Sequence, residues 1–170
     1  MSLKRAAPPP ASQGPAIGGD LLDVLRRICG TSPLDIMNVR KIVEPQAAEA
    51  AAIHASEAAL TAVREAHAAA ERASDMDTFE HWDAEFHRRI FSSTRNELLA
   101  NLDEIVRVVR SQTPWTELKR RSFSNERRLI YCREHETLLR ALERRDADAA
   151  ANAMRAHLET VAKNLFRSRN

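Results

Sequence analysis

From Asp20 onward, apolar residues recur at intervals of three and four, the period of helices that bury one face. Phe79, Trp82, Phe86 and Ile90 form one such stripe, and Ile36, Val39, Val43 and Ala47 form another. Tyr131, Cys132, Leu138, Leu139 and Leu142 make a third, and Ala150, Met154, Leu158, Val161 and Leu165 a fourth. Capping chemistry sets the boundaries. Asp20 caps a short helix to about Cys29, where Gly30 suits the stop. Ser32-Pro33-Leu34-Asp35 supplies a cap, a first-turn proline and an acid, so a long helix runs to about Ala55, kinked at Pro45. Ser56 opens a third helix to about Ala73, and a turn at residues 74–77 leads into a fourth from Thr78 to Ser92. Asn96 caps a fifth to about Ser111. Residues 112–125 read as a polar connection with room for a short helical turn. A sixth helix spans Glu126 to Arg145, and Asp146 caps a seventh to about Arg167. Short loops between long helices imply antiparallel neighbours. The expected fold is an all-α antiparallel bundle of six or seven helices.

Glycine and proline sharpen this picture. Of 4 Gly and 7 Pro, only Gly30, Pro33, Pro45 and Pro114 lie beyond residue 19, too few turn residues for a sheet protein of this length. The 28 alanines favour helix by propensity. Residues 1–19 read as a flexible Pro/Gly-rich leader, and residues 20–167 as one folded domain. A net charge of +2 gives no concentrated basic footprint for nucleic acid. Two cysteines, Cys29 and Cys132, fit no disulfide framework, and no apolar run approaches the length of a membrane span. The expected home is the cytoplasm.

The histidines carry the candidate chemistry. Asp83 and His87 stack at i, i+4 beside the Phe79–Ile90 stripe, His135 sits within the buried side of its helix, and His157 lies next to the Met154–Leu158 stripe. His81 points to solvent, and His54 and His67 show no partner at ligand spacing. Burying three imidazoles and a carboxylate is costly unless each finds a partner. One divalent metal satisfies Asp83, His87, His135 and His157 together: zinc first, with nickel, iron or manganese as alternatives. The competing reading is that each histidine is a satisfied core residue, or that Asp83 pairs with one of them. A ferritin-like di-metal bundle needs Glu-x-x-His twice, which this chain does not supply.

The run from Pro33 to Ala48 (PLDIMNVRKIVEPQAA) resembles the opening of the C-terminal effector (FCD) domain of GntR-family transcription regulators, FadR subfamily. Asp83-Ala84-Glu85-Phe86-His87 resembles that domain's D-x-x-F-H signature, and Ser93-Thr94-Arg95-Asn96 the turn after it. Glu134-His135 and Met154-Arg155-Ala156-His157 resemble its third and fourth ligand motifs, at spacings of 48 from His87 to His135 and 22 from His135 to His157.

The resemblance implies one metal ion per chain in a helical bundle, above a cavity for a small carboxylate effector, typically an organic or sugar acid. It also implies a homodimer. Arg40 flanks the stripe of Ile36, Val39, Val43 and Ala47, where an arginine is either a snorkelling surface residue or a bidentate carboxylate clamp; it matches the arginine of the opening motif, and the resemblance implies the clamp, with Arg110 a second candidate. The family places a winged helix-turn-helix ahead of this domain, and here only the leader precedes it. The chain therefore reads as the effector half of a longer regulator, meeting DNA only through a head it does not carry. No general base or nucleophile is evident beside the quartet, so the expected role is binding and not catalysis. A purely structural dimerisation bundle is the alternative, and a metal-dependent enzyme a more distant one.

Overall fold

The computed structural model describes residues 17–166, and among them the secondary structure is entirely helical. Eight helices follow in order: α1 (Ile17–Cys29), α2 (Pro33–His54), α3 (Glu57–Arg72), α4 (Met76–Ser93), α5 (Glu97–Arg110), α6 (Thr113–Ser122), α7 (Asn125–Glu143) and α8 (Ala147–Phe166). The caps do the local work the sequence assigns them. The Ser32 hydroxyl accepts from the Asp35 amide, Ser56 from Ala59, and Asn96 from Leu98 and Leu99. Asp75 accepts from Thr78 at 2.8 Å, which starts α4 two residues earlier than expected. The turns before α5 and α8 share one device. Arg95 and Arg145 both adopt φ 58°, and each is followed by a capping Asn96 or Asp146. Arg145 then donates to the carbonyl of Ala55 and to Glu57, pinning the α7–α8 turn to the α2–α3 turn.

Three expectations need correction. The connection at residues 112–125 holds a full helix, α6, so the described residues contain eight helices and not six or seven. Pro114 sits in its first turn, and Trp115, Lys119 and Ser122 form its buried face. Helix α1 begins at Ile17 and takes in Gly18 and Gly19; the rest of the expected leader, like Arg167, lies outside the described residues. On α2 the buried face keeps Ile36 and Ala47 of the stripe read in sequence but turns away from Val39. Val39 is 37% exposed, whereas Met37, Arg40, Glu44, Ala47, Ala48, Ala51 and Ala52 are buried. Pro45 is accommodated inside that continuous helix.

Helix α2 packs most extensively on α8, α3 on α4, and α7 on α8. The alanines of α2 permit the close approach: Ala48, Ala51 and Ala52 join Leu60, Val63, Phe86, Ile90, Leu138, Leu142, Met154 and Leu158 in one apolar cluster. A second cluster gathers Ile36, Met37, Phe79, Val106, Trp115, Tyr131, Cys132, Val161 and Leu165. On each of α2, α4, α7 and α8 a short polar segment interrupts the passage from one cluster to the other. Arg40 and Glu44 lie between Met37 and Ala48, Asp83 between Phe79 and Phe86, His135 between Cys132 and Leu138, and His157 between Met154 and Val161. The candidate site is this polar layer, held between two apolar ones. No helix of the described residues is long and apolar enough to cross a membrane.

Candidate metal centre

Asp83 and His87 come from consecutive turns of α4, His135 from the middle of α7 and His157 from the middle of α8. Each offers one ligand atom, and the four atoms lie within 4.8 Å of one another. All four residues are buried, none more than 3% exposed. The Nε2 atoms of His135 and His157 stand 3.1 Å apart, and His135 Nε2 is 3.7 Å from Asp83 Oδ1.

The surroundings of these groups explain how they are held. Glu44 Oε2 lies 2.7 Å from His87 Nδ1, although the ring N–H is off the line to that oxygen. Glu134 Oε2 stands 2.9 Å from His157 Nδ1, while the Thr160 hydroxyl donates to the other Glu134 oxygen at 2.6 Å. His135 Nδ1 is buried without a hydrogen-bond partner among the described residues. Its ring is oriented by packing: it stacks on Phe86 with centroids 4.3 Å apart and planes 18° apart. The phenylalanine beside His87 in the sequence therefore serves His135 on another helix.

Electrostatics favour the ligand forms. Burial works against the charge of Asp83, but Lys119, His87, His135 and Arg110 overcome it and hold the carboxyl well below its usual range. Burial likewise opposes ionisation of Glu44, yet Arg40 and His87 pull it below the usual carboxylate range. For His135, burial and then the neighbouring His157 press the imidazole well below its ordinary value, and for His157 burial and then His87 do the same. Two neutral imidazoles and an ionised carboxylate are what a divalent cation requires of its ligands.

The orphaned atoms supply a fit test. His87 Nε2 is buried with no hydrogen-bond partner among the described residues, and two imidazole nitrogens face each other across the gap. A cation held by Asp83, His87, His135 and His157 would satisfy these groups at once, and the donor set suits zinc or a neighbouring transition metal.

The two arginines expected at an effector are both present in this layer. Arg40 is 1% exposed, at the centre of the buried face of α2 and not on its flank, because Glu44 one turn on neutralises it through both Nε and Nη2. Arg110 donates to Asp83 Oδ2 at 3.2 Å. Both guanidinium groups stand over the Trp115 indole, at 5.8 Å and 5.6 Å from its centroid. A cavity of about 460 Å³ opens beside this wall, lined by Arg110, Trp115, Lys119, Glu80, His81 and Arg107 among others. His81 is exposed as expected, and His54 is exposed as well. His67 departs from expectation: it is 5% exposed and has Glu71, one turn on, 3.7 Å from its Nε2. Sequence reasoning missed Glu44 and Glu134 as partners of the histidines. Glu44 carried a local signal, an acid four residues after Arg40, but the partner of Glu134 lies on a different helix.

A family model described as the FCD domain matches residues 35–160, a span that contains all four residues of the quartet. The chain belongs to the FCD domain family. Among curated proteins it is 27% identical over 140 residues to the Uxu operon regulator of Haemophilus influenzae, an overlap of 79% of this chain and 51% of that protein. It is 28% identical over 137 residues to the Exu regulon transcriptional regulator of Escherichia coli (79% and 52%). It is 30% identical over 142 residues to the Uxu operon transcriptional regulator of the same species (81% and 55%). The chain thus spans about half the length of the curated relatives it matches. Two solved structures share the fold: Streptococcus agalactiae GntR, with TM-score 0.64 and 19% identity, covers 86% of this chain and 64% of its own. E. coli McbR/YncC gives TM-score 0.67 at 18% identity, covering 88% and 66%. The relatives bear the names of transcription regulators, not of enzymes, and the FCD assignment agrees with the motifs that run from α2 to α8.

Proposed function

We propose that this FCD domain is the sensing half of a GntR-family transcription regulator: a divalent cation, zinc in the first instance, is held by Asp83, His87, His135 and His157, and a small organic or sugar acid binds beside it. The regulator acts in the cytoplasm as a homodimer and reaches DNA through a winged helix-turn-helix head outside this chain. The observation that carries the reading is the convergence of four buried ligand atoms within 4.8 Å.

When bound, the cation supplies a Lewis-acidic centre that accepts ligand oxygens. The chain's own residues favour an anion there. Asp83 and Glu44 are each already paired with a guanidinium group, Arg110 and Arg40, so the positive charge of a divalent cation would not be neutralised by these two carboxylates alone. Arg40 and Arg110, at 5.8 Å and 5.6 Å from the Trp115 ring centroid, are the carboxylate partners in this reading.

The ligand acts by linkage. If it binds one arrangement of α2, α4, α7 and α8 more tightly, it shifts the population toward that arrangement, commonly by about 1–3 kcal/mol of coupling. The test is metal analysis of protein purified without chelator, followed by thermal shift against a panel of organic and sugar acids with loaded and stripped protein. One metal equivalent per chain, its loss in His135→Ala, and stabilisation by acids only in the loaded form are the expected results. Far less than one equivalent in the wild type would leave a structural bundle as the reading.

A further inference from the structure

We propose that Glu134 and Glu44 are positioning residues of this centre: Glu134 fixes the tautomer of His157 and Glu44 biases that of His87, so that each Nε2 lone pair faces the interior before any cation arrives. The inference rests on the metal reading for its purpose, though not for its geometry. An ionised carboxylate only accepts hydrogen bonds. Glu134 Oε2 at 2.9 Å from His157 Nδ1 therefore places the ring proton of that imidazole on Nδ1, while Glu44 Oε2, 2.7 Å from His87 Nδ1 but off the line of its N–H, offers His87 an acceptor on the same ring atom. The Nε2 atoms are left as acceptors.

Each acid is itself held, and by a different means. Glu44 is buried and gripped by Arg40 one turn away on α2, while it reaches across to α4. Glu134 reaches from α7 to α8, where it meets two residues of the same face, His157 and Thr160. The Thr160 hydroxyl has one proton and two acceptors near it, at 2.6 Å on Glu134 and 3.2 Å on the Ala156 carbonyl, so the carboxylate takes it. Neither acid can rotate away without stranding a donor.

His135 is the exception, and it makes the proposal sharper. Its Nδ1 has no partner among the described residues, and its Nε2 faces the His157 Nε2 lone pair at 3.1 Å. Without a cation the only hydrogen bond open to that pair is donation from His135 Nε2–H. A cation on His135 Nε2 requires the proton on Nδ1 instead. Loading thus switches the tautomer of His135 and leaves those of His87 and His157 unchanged.

The experiment combines zinc affinity, by competition with a chromophoric chelator, and imidazole tautomers, by long-range 1H–15N correlation spectra of metal-free and zinc-loaded protein. Glu134→Ala lowers zinc affinity about 10–100-fold, the usual effect of losing such a partner. Glu134→Gln, whose amide oxygen still accepts from Nδ1, recovers most of it. Glu44→Gln tests the other arm; should it fail to fold with Arg40 left unpaired, the Glu134 variants decide. A folded Glu134→Ala protein with zinc affinity within about twofold of wild type and His157 still wholly Nδ1-protonated overturns the proposal. If the wild type binds no zinc, the metal reading fails separately, and the metal-free spectra alone decide: His157 fixed in the wild type and mixed in Glu134→Ala supports positioning, and no difference overturns it.

Discussion

Acid should destabilise the metal-stripped protein in a way that reports directly on the buried imidazoles. His135 and His157 are neutral in the folded chain, their protonation pushed well below the ordinary range by burial and by neighbouring histidines. In the unfolded chain each titrates near its ordinary value of about 6.5. Below that pH the unfolded state binds more protons than the folded one, so stability falls as pH falls. Between about pH 7.5 and about pH 5.5, one such group removes about 1.4 kcal/mol and the pair about 2.7 kcal/mol. That is a large share of the roughly 5–15 kcal/mol typical of a domain. Burial pushes the carboxyls of Asp103 and Glu134 upward, and these act in the opposite sense on acidification, which is the reason to stop the titration near pH 5.5. The assay is urea unfolding followed by far-ultraviolet circular dichroism, in chelator, at the two pH values. His135→Leu, which keeps the packing on Phe86 but cannot titrate, should halve the loss. A change under about 0.5 kcal/mol, or a gain in stability on acidification, would show that the imidazoles are not held neutral in the fold.

Three further perturbations have defined outcomes. Arg40→Ala leaves Glu44 as an unpaired buried charge and should cost about 3–5 kcal/mol in urea unfolding, with Arg40→Lys recovering part of it. Leu142→Ala opens a cavity in the alanine-rich cluster, where Leu142 is fully buried, and should cost about 2–5 kcal/mol without changing metal content. Asn96→Ala removes the cap that accepts from both Leu98 and Leu99 and should cost about 1 kcal/mol, seen first as faster amide exchange at the start of α5.

What could be read from the chain was what depends on near neighbours. Ser32, Ser56, Asn96 and Asp146 act within three residues of themselves, and each marks a helix start that the structure contains. The four quartet residues could be found because helical periodicity alone turns each toward the interior. Helix α6 was missed because Lys119, Arg120 and Arg121 mask a buried face of which Lys119 is itself a member, its ammonium neutralised by Glu80 on α4. The same cause displaced Arg40. A buried arginine looks like a flank residue until its Glu44 partner is recognised, and the rotated face of α2 follows from that pair. Glu134 was invisible for a different reason. It adjoins His135 in sequence yet serves His157, a choice made by the crossing of α7 and α8.

The polar layer also limits what kind of ligand could work as a switch on the proposed reading. Shifting a two-state equilibrium from 1:99 to 99:1 needs about 5.5 kcal/mol of differential affinity. A charge-assisted hydrogen bond contributes about 1.5–3 kcal/mol, and a carboxylate that takes Arg40 must first displace Glu44, giving back much of the gain. Displacing Glu44 would also free His87 Nδ1, so occupation of Arg40 and retention of the cation are coupled through one side chain. A ligand touching Arg40 alone would therefore move the equilibrium little and loosen the centre. One that also offers an oxygen to the cation replaces what it disturbs. Arg110 extends the argument to the other side, since it is paired with Asp83, itself a member of the quartet. Both guanidinium groups are thus tied to the metal centre through a carboxylate, and an acid with at least two oxygen-bearing groups is the effector that this layer can exploit.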